Sequence, residues 1–497
     1  MPSCDHWADD GEIEWTGPDG VTTTVVLDDA GRVASMTRDG VTAAYTYDDR
    51  GLVTEVTLGN GAVIEYEYDD DQRLIRVEHF DDSAATILKL EYDYNDRDLP
   101  VMITESDEGG VFATVSFTYD DRGRLIHEER MVSSGPSPEY DLEYVYDQAG
   151  NRLMKIDAIN ELETAYVYDV DDPETYASGN NMLEYTTVWD VGGQSSVLVS
   201  TTWYYYGDDA LGQSDRNGNP TRIVTETAAD PGVYSATHFV YDKAQRVWLM
   251  FGESWEADGP DEGDCVDGYA ITWAREFRYD AARARYLNRE LDPEALEEGD
   301  LVALSEVWTD YDGDSSYGDF ELAGDALMPS DLRSYEPGVA LKDPWDESSG
   351  IEYYHADLIG TTRGTTNHLG APAIGASGSP VTYTAFGERL DSDDHLRYGY
   401  AGSWGYQSHD VPGGNPVQFL HVGWRYYDPE TGRFLQRDPM GIGGGWNVYE
   451  YVGGRPTMHT DSLGLLSDDG SHTKRGGFPE AYFEFTVKPL HHCPGSA

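Results

Sequence analysis

Residues 45–56 read "YTYDDRGLVTEV", and this stretch defines a unit that recurs along the chain. The unit has an aromatic residue, any residue, tyrosine, aspartate or asparagine, two or three turn residues, any residue and an apolar position. Tyr45 and Tyr47 are two residues apart, so they project from one face of a strand. Asp48 can accept hydrogen bonds from the backbone two residues on, and Gly51 can adopt the left-handed turn conformation. The stretch therefore predicts a strand, a turn and a second strand.

Six further copies of this unit follow. They lie at 66–77, 92–103, 117–128, 144–155, 239–250 and 277–288, and the first five copies of the whole set recur every 21 to 27 residues. A lone hairpin is marginal in water, whereas stacked copies bury the aromatic stripe of each unit against its neighbours. Residues 171–235 and 252–270 lose the register and are interpreted as insertions or decayed repeats. The best helix candidate is 291–304, with Asp292 as its cap and Pro293 at its first position.

The composition excludes several functional classes. The chain has 497 residues with 93 acidic and 33 Lys or Arg residues, a net charge of −60, so nucleic-acid and anionic membrane partners are disfavoured. No run approaches the roughly 18 apolar residues of a membrane helix, and the first residues lack the features of a secretory signal. Three widely spaced cysteines predict no disulfide framework. An aromatic content of 12% nevertheless predicts an ordered core.

The second part of the chain carries a series of longer motifs. They are "YYHADLIGTTRGTTN" (353–367), "YTAFGERL" (383–390), "RYGYAGSWGY" (397–406), "GWRYYDPETGRFLQRDP" (423–439) and "RDPMGIGGGWNVYEYVGGRPTMHTDSLGL" (437–465). In this order, together with the tyrosine-aspartate unit, they resemble the rearrangement-hotspot (Rhs) or YD-repeat family and its repeat-associated core domain. That family includes polymorphic toxins, the C components of insecticidal toxin complexes and the animal teneurins.

This resemblance implies an all-β fold. In it, the YD-repeat antiparallel β-sheet spirals into a hollow shell that an inward-curling core domain closes. We expect a YD-repeat region with irregular insertions at 1–350, the core or plug at 351–465 and a short variable tail at 466–497. In many members, aspartates of the core form a self-acting peptidase that cuts after the final "DPxGL". The matching stretch here is "DSLGL" (461–465), which places the cut between Leu465 and Leu466.

The candidate catalytic residues are Asp438, Asp461 and Arg437. An aspartyl peptidase needs two carboxyl groups that are close together, one ionised and one protonated. Asp438 is the principal acid in this interpretation, and either Asp461 or Glu450 is its partner. Arg437 is a candidate for holding a carboxylate or carbonyl group by a charge-assisted bond. The alternative is that Asp438-Pro439 forms an ordinary turn whose carboxylate caps backbone amides.

Metal sites are the weaker interpretations. Asp310, Asp312, Asp314 and Glu321 have the spacing of a calcium loop, but Ser315 stands where that loop needs glycine, and an acidic solvated loop is the favoured reading. His491, His492 and Cys493 near the terminus are interpreted as exposed residues. No P-loop, G-x-S-x-G or HExxH motif occurs, so no cofactor is expected and any enzymatic activity is at most a single-turnover self-cleavage.

The leading functional hypothesis is a shell protein of a polymorphic-toxin or intercellular-competition system. It would enclose its own C-terminal segment, cut itself after Leu465, and meet secretion-system or cell-surface proteins. The 32 residues after Leu465 are too few for an ordinary enzyme core. The alternative is a non-cleaving surface or secreted β scaffold that binds carbohydrate or protein. Family habit implies a secreted or cell-surface location for both.

Overall fold

An antiparallel β-sheet of 28 strands forms the body of the protein, which confirms the predicted all-β class. We describe it from a computed structural model. The structure describes residues 6–7, 11–16, 22–168, 181–208, 210, 214–257, 259–260, 270–280, 284–312, 315–320, 322–323, 326–327, 333–336, 339–342, 350–374, 380–390, 396–409, 417–443, 445–465 and 474–475.

The 28 strands of the large sheet pair in chain order. They are β1 (His6–Trp7), β2 (Glu12–Thr16), β3 (Thr22–Leu27), β4 (Val33–Arg38), β5 (Val41–Tyr47), β6 (Val53–Leu58), β7 (Val63–Tyr68), β8 (Leu74–Phe80), β9 (Thr86–Tyr94), β10 (Pro100–Asp107), β11 (Gly110–Tyr119), β12 (Leu125–Val132), β13 (Pro138–Tyr146), β14 (Arg152–Asp157), β15 (Leu162–Tyr168), β16 (Leu183–Asp190), β17 (Val197–Asp208), β18 (Ser214–Thr227), β19 (Val233–Tyr241), β20 (Val247–Glu256), β21 (Ala270–Arg278), β22 (Leu287–Leu291), β23 (Ala303–Asp312), β24 (Ser315–Phe320), β27 (Arg333–Glu336), β28 (Ala340–Lys342), β29 (Ile351–Ala356) and β30 (Thr362–Asn367).

The other strands form small sheets. They are the hairpin β25 (Leu322–Ala323) and β26 (Ala326–Leu327), the four-stranded sheet β31 (Gln407–His409), β32 (Val417–Val422), β33 (Arg425–Asp428) and β34 (Arg433–Phe434), and the pair β35 (His459–Thr460) and β36 (Lys474–Arg475). One α-helix, α1 (Pro293–Glu297), interrupts the described strands. Its N-cap is Asp292, whose side chain accepts from the Glu294 and Ala295 N–H groups, so the predicted cap is confirmed and the helix has five residues.

The repeated unit folds as its sequence predicts. The Asp48 carboxylate accepts the backbone N–H groups of Arg50 and Leu52, both at 2.9 Å, and Gly51 has a φ of +88°. The Tyr47 hydroxyl donates to the Val33 carbonyl oxygen of the preceding hairpin at 2.7 Å. Six other units make the same tyrosine bond, through Tyr94, Tyr119, Tyr168, Tyr206, Tyr241 and Tyr279. The aspartate thus closes each turn, and the tyrosine ties each hairpin to the previous one.

An arginine at the end of the turn links one unit to the next. Arg124 donates to the Asp120 carboxylate of its own turn at 2.7 Å and to the Asp147 carbonyl oxygen of the next turn at 2.8 Å. Its guanidinium lies 4.8 Å from the ring centre of Tyr146 in that next unit. Related contacts recur at Arg32, Arg73 and Arg246. Charge, stacking and hydrogen bonds therefore add to the strand pairing along the wall.

The region that loses the sequence register continues the same sheet in its described part. Strands β16, β17 and β18 pair with their neighbours in sequence, from β15 to β19. The Tyr206 hydroxyl donates to the Leu183 carbonyl oxygen at 2.9 Å, the bond that marks a repeat unit. These strands are therefore decayed repeats, whereas residues 171–180, 209, 211–213, 258 and 261–269 of the two irregular stretches lie outside the described residues.

The sheet curves around residues 351–465. Tyr353 and Leu358 pack with β3 to β9, Phe386 and Tyr427 pack with β11 to β13, and Phe419 packs with β19 to β21. In a flat sheet, β3 and β21 would lie roughly 90 Å apart at about 4.8 Å per strand. A segment of this size has a radius of gyration of about 13 Å. It contacts such distant strands only because the sheet bends.

Ion pairs attach this C-terminal segment to strands β10 to β14. Buried Glu105 of β10 lies 2.5 Å from Arg130 of β12 and 2.7 Å from Arg363 of β30. The partly buried Lys155 of β14 pairs with Glu388 at 2.5 Å. Breaking the pairs of Glu105 would leave an uncompensated buried charge, so these contacts help to fix where the segment lies. Among the described residues, no helix is long and apolar enough to cross a membrane.

Candidate functional site

The candidate site lies where β33 meets the end of the described core segment. Gly423 and Trp424 turn the chain between β32 and β33, and Arg425 begins β33 with an exposed side-chain fraction of 1%. The Trp424 N–H donates to the Leu463 carbonyl oxygen at 3.0 Å. The turn therefore holds the backbone that immediately precedes the predicted cleavage bond.

The Arg425 guanidinium contacts two carboxylates and two backbone carbonyl oxygens. Its Nη2 atom lies 3.3 Å from Oδ2 of Asp438 and 3.4 Å from Oδ2 of Asp461. Its Nε donates to the Gly464 carbonyl oxygen at 2.6 Å, and its Nη1 donates to the Val448 carbonyl oxygen at 3.2 Å. One guanidinium thus contacts both acids and the backbone one residue before Leu465.

Each carboxylate of the site also accepts a backbone N–H. Asp461 accepts from Leu465 at 2.9 Å, and Asp438 accepts from Met440 at 2.7 Å. The Tyr406 hydroxyl accepts the Asp461 N–H at 2.8 Å and lies 3.0 Å from the Tyr451 hydroxyl. Asp461 is therefore held on its backbone side by a tyrosine and on its side-chain side by Arg425 and Leu465.

Glycines allow the backbones to approach at this site. Gly464 has a φ of +62°, and a Cβ atom there would lie 2.5 Å from the Val422 carbonyl oxygen. Gly423 has a φ of +52°, and its Cβ would lie 2.3 Å from the Leu463 carbonyl oxygen. Neither position has room for a side chain, and both have a conformation that glycine favours. The close contact is between the turn before Arg425 and the residues before Leu465.

Burial dominates the electrostatics of the site. Loss of solvent lowers the pKa of the Arg425 guanidinium, and the charges of Asp438 and Asp461 act in the opposite direction. Burial also raises the pKa of Tyr406, with the Asp461 charge as the next cause, so the phenol stays protonated. The ring of Phe434 lies 3.5 Å from the guanidinium carbon and covers one side of it. Two acids and one cation in such a site give strong fields at the adjoining peptide.

The structure brings together two of the three predicted catalytic residues. Asp438 and Asp461 contact the same nitrogen atom of Arg425 and are both buried. Arg437 is exposed, and its backbone N–H donates to Asn219 at 2.9 Å. Glu450, the alternative partner, has its carboxylate beside Gly150, and its backbone pairs with that of Arg433 in an isolated antiparallel β-bridge.

Sequence reasoning did not single out Arg425. It lies in a quoted motif, 13 residues before Asp438, but only the return of the chain from Val448 to Leu465 places it between the acids. Tyr406 was missed for the same reason, being 55 residues from its partner Asp461. The turn interpretation of Asp438 also finds support, because its carboxylate accepts the Met440 N–H. Leu466 lies outside the described residues.

A cavity of about 500 Å³ adjoins this site, with Tyr406 in its wall. It also holds the ion pair of Lys155 and Glu388 together with Asp428. Burial, then the charge of Glu430, raises the pKa of Asp428 to about 7. The cavity lining also includes Asp157, Glu430 and Arg389, so acidic residues outnumber basic ones among its charged groups.

The weaker metal interpretations fall partly or wholly outside the described residues. Asp310 and Asp312 lie in β23, opposite Gly318 and Ser315 of β24, and strands flank this region where it is described. Asp314 and Glu321 are not among the described residues, and neither are His491, His492 and Cys493. The part of the chain that is described contains no group of three or more His, Cys, Asp or Glu side chains suited to a metal ion.

Comparison with known proteins identifies the repeats. The RHS Repeat family model matches residues 47–84, which span the end of β5 to the turn after β8. This match identifies an RHS repeat in the chain and agrees with its resemblance to the Rhs (YD-repeat) family. Similar proteins include toxin protein Tse5 of Pseudomonas aeruginosa, which is 25% identical over 71% of this chain and 25% of the relative. Double-stranded DNA deaminase toxin A of Burkholderia cenocepacia is 29% identical over 70% of this chain and 20% of the relative.

The chain is thus similar to bacterial toxin proteins, and it spans a fifth to a quarter of the length of these curated relatives. Among solved structures, it is similar to the crystal structure of TcdB2-TccC3-Cdc42, with 17% identity and a TM-score of 0.49. That match covers 93% of this chain and 24% of the solved chain.

Proposed function

We propose that this Rhs protein forms part of a toxin shell that encloses its own C-terminal segment and cuts itself once, between Leu465 and Leu466. The observation that carries the proposal is the contact of Arg425 with Asp438, Asp461 and the Gly464 carbonyl oxygen, one residue before the bond. The boundary between a repeat region at 1–350 and a core at 351–465 belongs to the same proposal, as do the hollow interior and its closure by the core.

The chemistry follows from the positions of the charged groups. Asp438 takes a proton from water, whose oxygen attacks the Leu465 carbonyl carbon, and Arg425 stabilises the negative charge that develops on the carbonyl oxygen. The C–N bond then breaks, and the proton that Asp438 took from water passes to the Leu466 amine, while Asp461 stays ionised between Arg425 and the Leu465 N–H. The hydrogen bond from Leu465 to Asp461 fixes the peptide before the reaction, which supplies orientation without a binding step.

The toxin relatives support the biological setting of the proposal. Toxin protein Tse5 and double-stranded DNA deaminase toxin A are toxins by name, and each is several times longer than this chain. We place the shell in a polymorphic-toxin or intercellular-competition system, exported or at the cell surface, where it meets secretion-system or cell-surface partners. The curvature of the sheet around residues 351–465 is consistent with a container.

Intact-mass measurement of the purified chain tests self-cleavage. We expect one fragment that ends at Leu465 and one that starts at Leu466. Asp438→Asn should leave the chain uncut, because it removes the base and keeps the side-chain shape. Asp428→Asn is the matched control, because Asp428 is also a buried aspartate before proline. Its carboxylate accepts from the Thr431 hydroxyl at 2.8 Å instead of contacting Arg425.

The result that would remove the proposal is a wild-type chain that stays uncut at neutral and mildly acidic pH. Equal cleavage of the wild type and Asp438→Asn would remove the assigned role of Asp438. Circular dichroism of Asp438→Asn should match the wild type, so that a loss of cleavage reports chemistry and not unfolding.

A further inference from the structure

An apolar loop lies directly after Asp438. It comprises residues 439–443 and 445–447, and its side chains of Met440, Ile442 and Trp446 are 43%, 78% and 85% exposed. Single exposed apolar residues are ordinary, but three within seven residues form a patch that favours a contact. The patch lies beside a buried aspartate of the proposed peptidase.

The loop holds these side chains out on a fixed backbone. Its ends are joined by the bond from the Asp438 N–H to the Val448 carbonyl oxygen at 2.9 Å. The Trp446 carbonyl oxygen accepts from Asn181 at 3.3 Å, and the Asn447 side chain donates to Asn151 at 3.0 Å. The exposed patch is therefore anchored to both the site and the sheet.

The chain after the proposed cut returns to this region. β36 (Lys474–Arg475) pairs with β35 (His459–Thr460), the strand that leads directly into Asp461. Residues 481–487 read "AYFEFTV", in which Phe483, Phe485 and Val487 alternate with polar or amphipathic residues. In an extended conformation these three project from one face. Phe483 is eight positions after Arg475, and a segment of that length reaches up to about 26 Å.

We propose that the apolar loop is the docking surface for residues 481–487 of this chain, with Phe483, Phe485 and Val487 covering Ile442 and Trp446. This inference rests on the proposed function, because it names the surface that retains the released segment after the cut. The contact buries apolar area on both partners and exposes Glu484 to water. It also makes retention independent of the peptide bond between Leu465 and Leu466.

Disulfide trapping in the full chain tests the contact. In a chain with Cys4, Cys265 and Cys493 changed to serine, Trp446→Cys and Phe485→Cys are combined and treated with oxidised glutathione. We expect a disulfide that joins positions 446 and 485 of one molecule across the cut, detected by intact mass and by non-reducing electrophoresis, at least ten-fold faster than in the control. The control combines Leu369→Cys with Phe485→Cys, because Leu369 is similarly exposed, at 64%, on another turn.

The two proposals fail separately in this experiment. A disulfide in an uncut chain would support docking and remove self-cleavage. A cut chain whose tail forms no disulfide would support self-cleavage and remove docking. Equal rates at positions 446 and 369 would overturn the docking proposal, and so would a disulfide between two separate molecules of the protein. Because Trp446 is exposed, its replacement should leave folding unchanged, which a matching melting temperature checks.

Discussion

Acid should weaken the contact between the beginning and the end of the large sheet, through a pair of buried histidines. His79 of β8 and His355 of β29 face each other with their Nδ1 atoms 3.1 Å apart. Nε2 of His79 lies 3.1 Å from the Ala356 carbonyl oxygen, and Nε2 of His355 lies 3.0 Å from the Thr366 hydroxyl. A carbonyl oxygen only accepts, so His79 donates through Nε2 and accepts at Nδ1 from His355. Both rings are therefore neutral.

The magnitude follows from the burial of His355. Desolvation lowers its pKa to about 4, from about 6.5 in an unfolded chain. Desolvation also lowers the pKa of His79, and the neighbouring His355 and Arg363 act in the same direction. A histidine whose pKa is lower in the folded than in the unfolded state favours the folded state fully above pH 6.5. This contribution is lost as the pH falls toward 4, because the unfolded chain then binds more protons. For His355 the loss is about 3 kcal/mol.

Buried carboxyl groups oppose this trend in the wild-type curve. Burial raises the pKa of Glu128 to about 7, with smaller effects from its hydrogen bonds, and burial raises the pKa of Asp357 to about 6. These two carboxyl groups bind protons more readily in the folded than in the unfolded state. Their protonation between pH 7 and pH 4 therefore stabilises the fold. The wild type and a variant that changes only one histidine share these carboxyl groups. The contributions of the carboxyl groups therefore cancel in the difference between the two unfolding free energies.

The assay compares the wild type with His355→Asn by urea unfolding between pH 8.5 and 4.5. Asparagine can still donate to Nδ1 of His79, but it does not titrate. We expect the wild type to be more stable at neutral pH and this advantage to fall by about 2–3 kcal/mol on acidification. The difference should stay constant from pH 7.5 to 8.5. Parallel curves down to pH 4.5 would refute the neutral, buried pair.

Three further predictions concern the site and the charge. Gly464→Ala should abolish self-cleavage, because its Cβ would meet the Val422 carbonyl oxygen at 2.5 Å. The control is Gly31→Ala, at a glycine that also has a positive φ but open space around it. Intact-mass measurement should show normal cleavage of this control. Tyr406→Phe should slow the cut about ten-fold or more by leaving the Asp461 N–H without its acceptor, and Tyr427→Phe, which loses a bond to Phe386, should not. Raising KCl from about 0.1 M to about 1 M should raise the melting temperature by several degrees, because salt screens a net charge of −60, and an unchanged value would contradict this.

The sequence by itself determined the repeating hairpin. The turn of each unit depends on contacts between residues two to four apart, such as Asp48 with Arg50 and Leu52, and on the positive φ of Gly51. Neighbouring units then pair in chain order, so a local pattern predicts a long antiparallel sheet. The short helix was predicted for the same reason, since Asp292 and Pro293 act within one turn.

Only the tertiary structure decided how the site is assembled. Arg425, Asp438 and Asp461 lie on three separate segments, and their contact depends on the close backbone approach at Gly423 and Gly464. Arg437 directly precedes Asp438 in the sequence and has the same guanidinium group as Arg425, yet the structure leaves Arg437 exposed. The curvature that lets one C-terminal segment contact β3 and β21 is likewise a sum over many strands. Long-range packing sets these positions, and no local spacing encodes them.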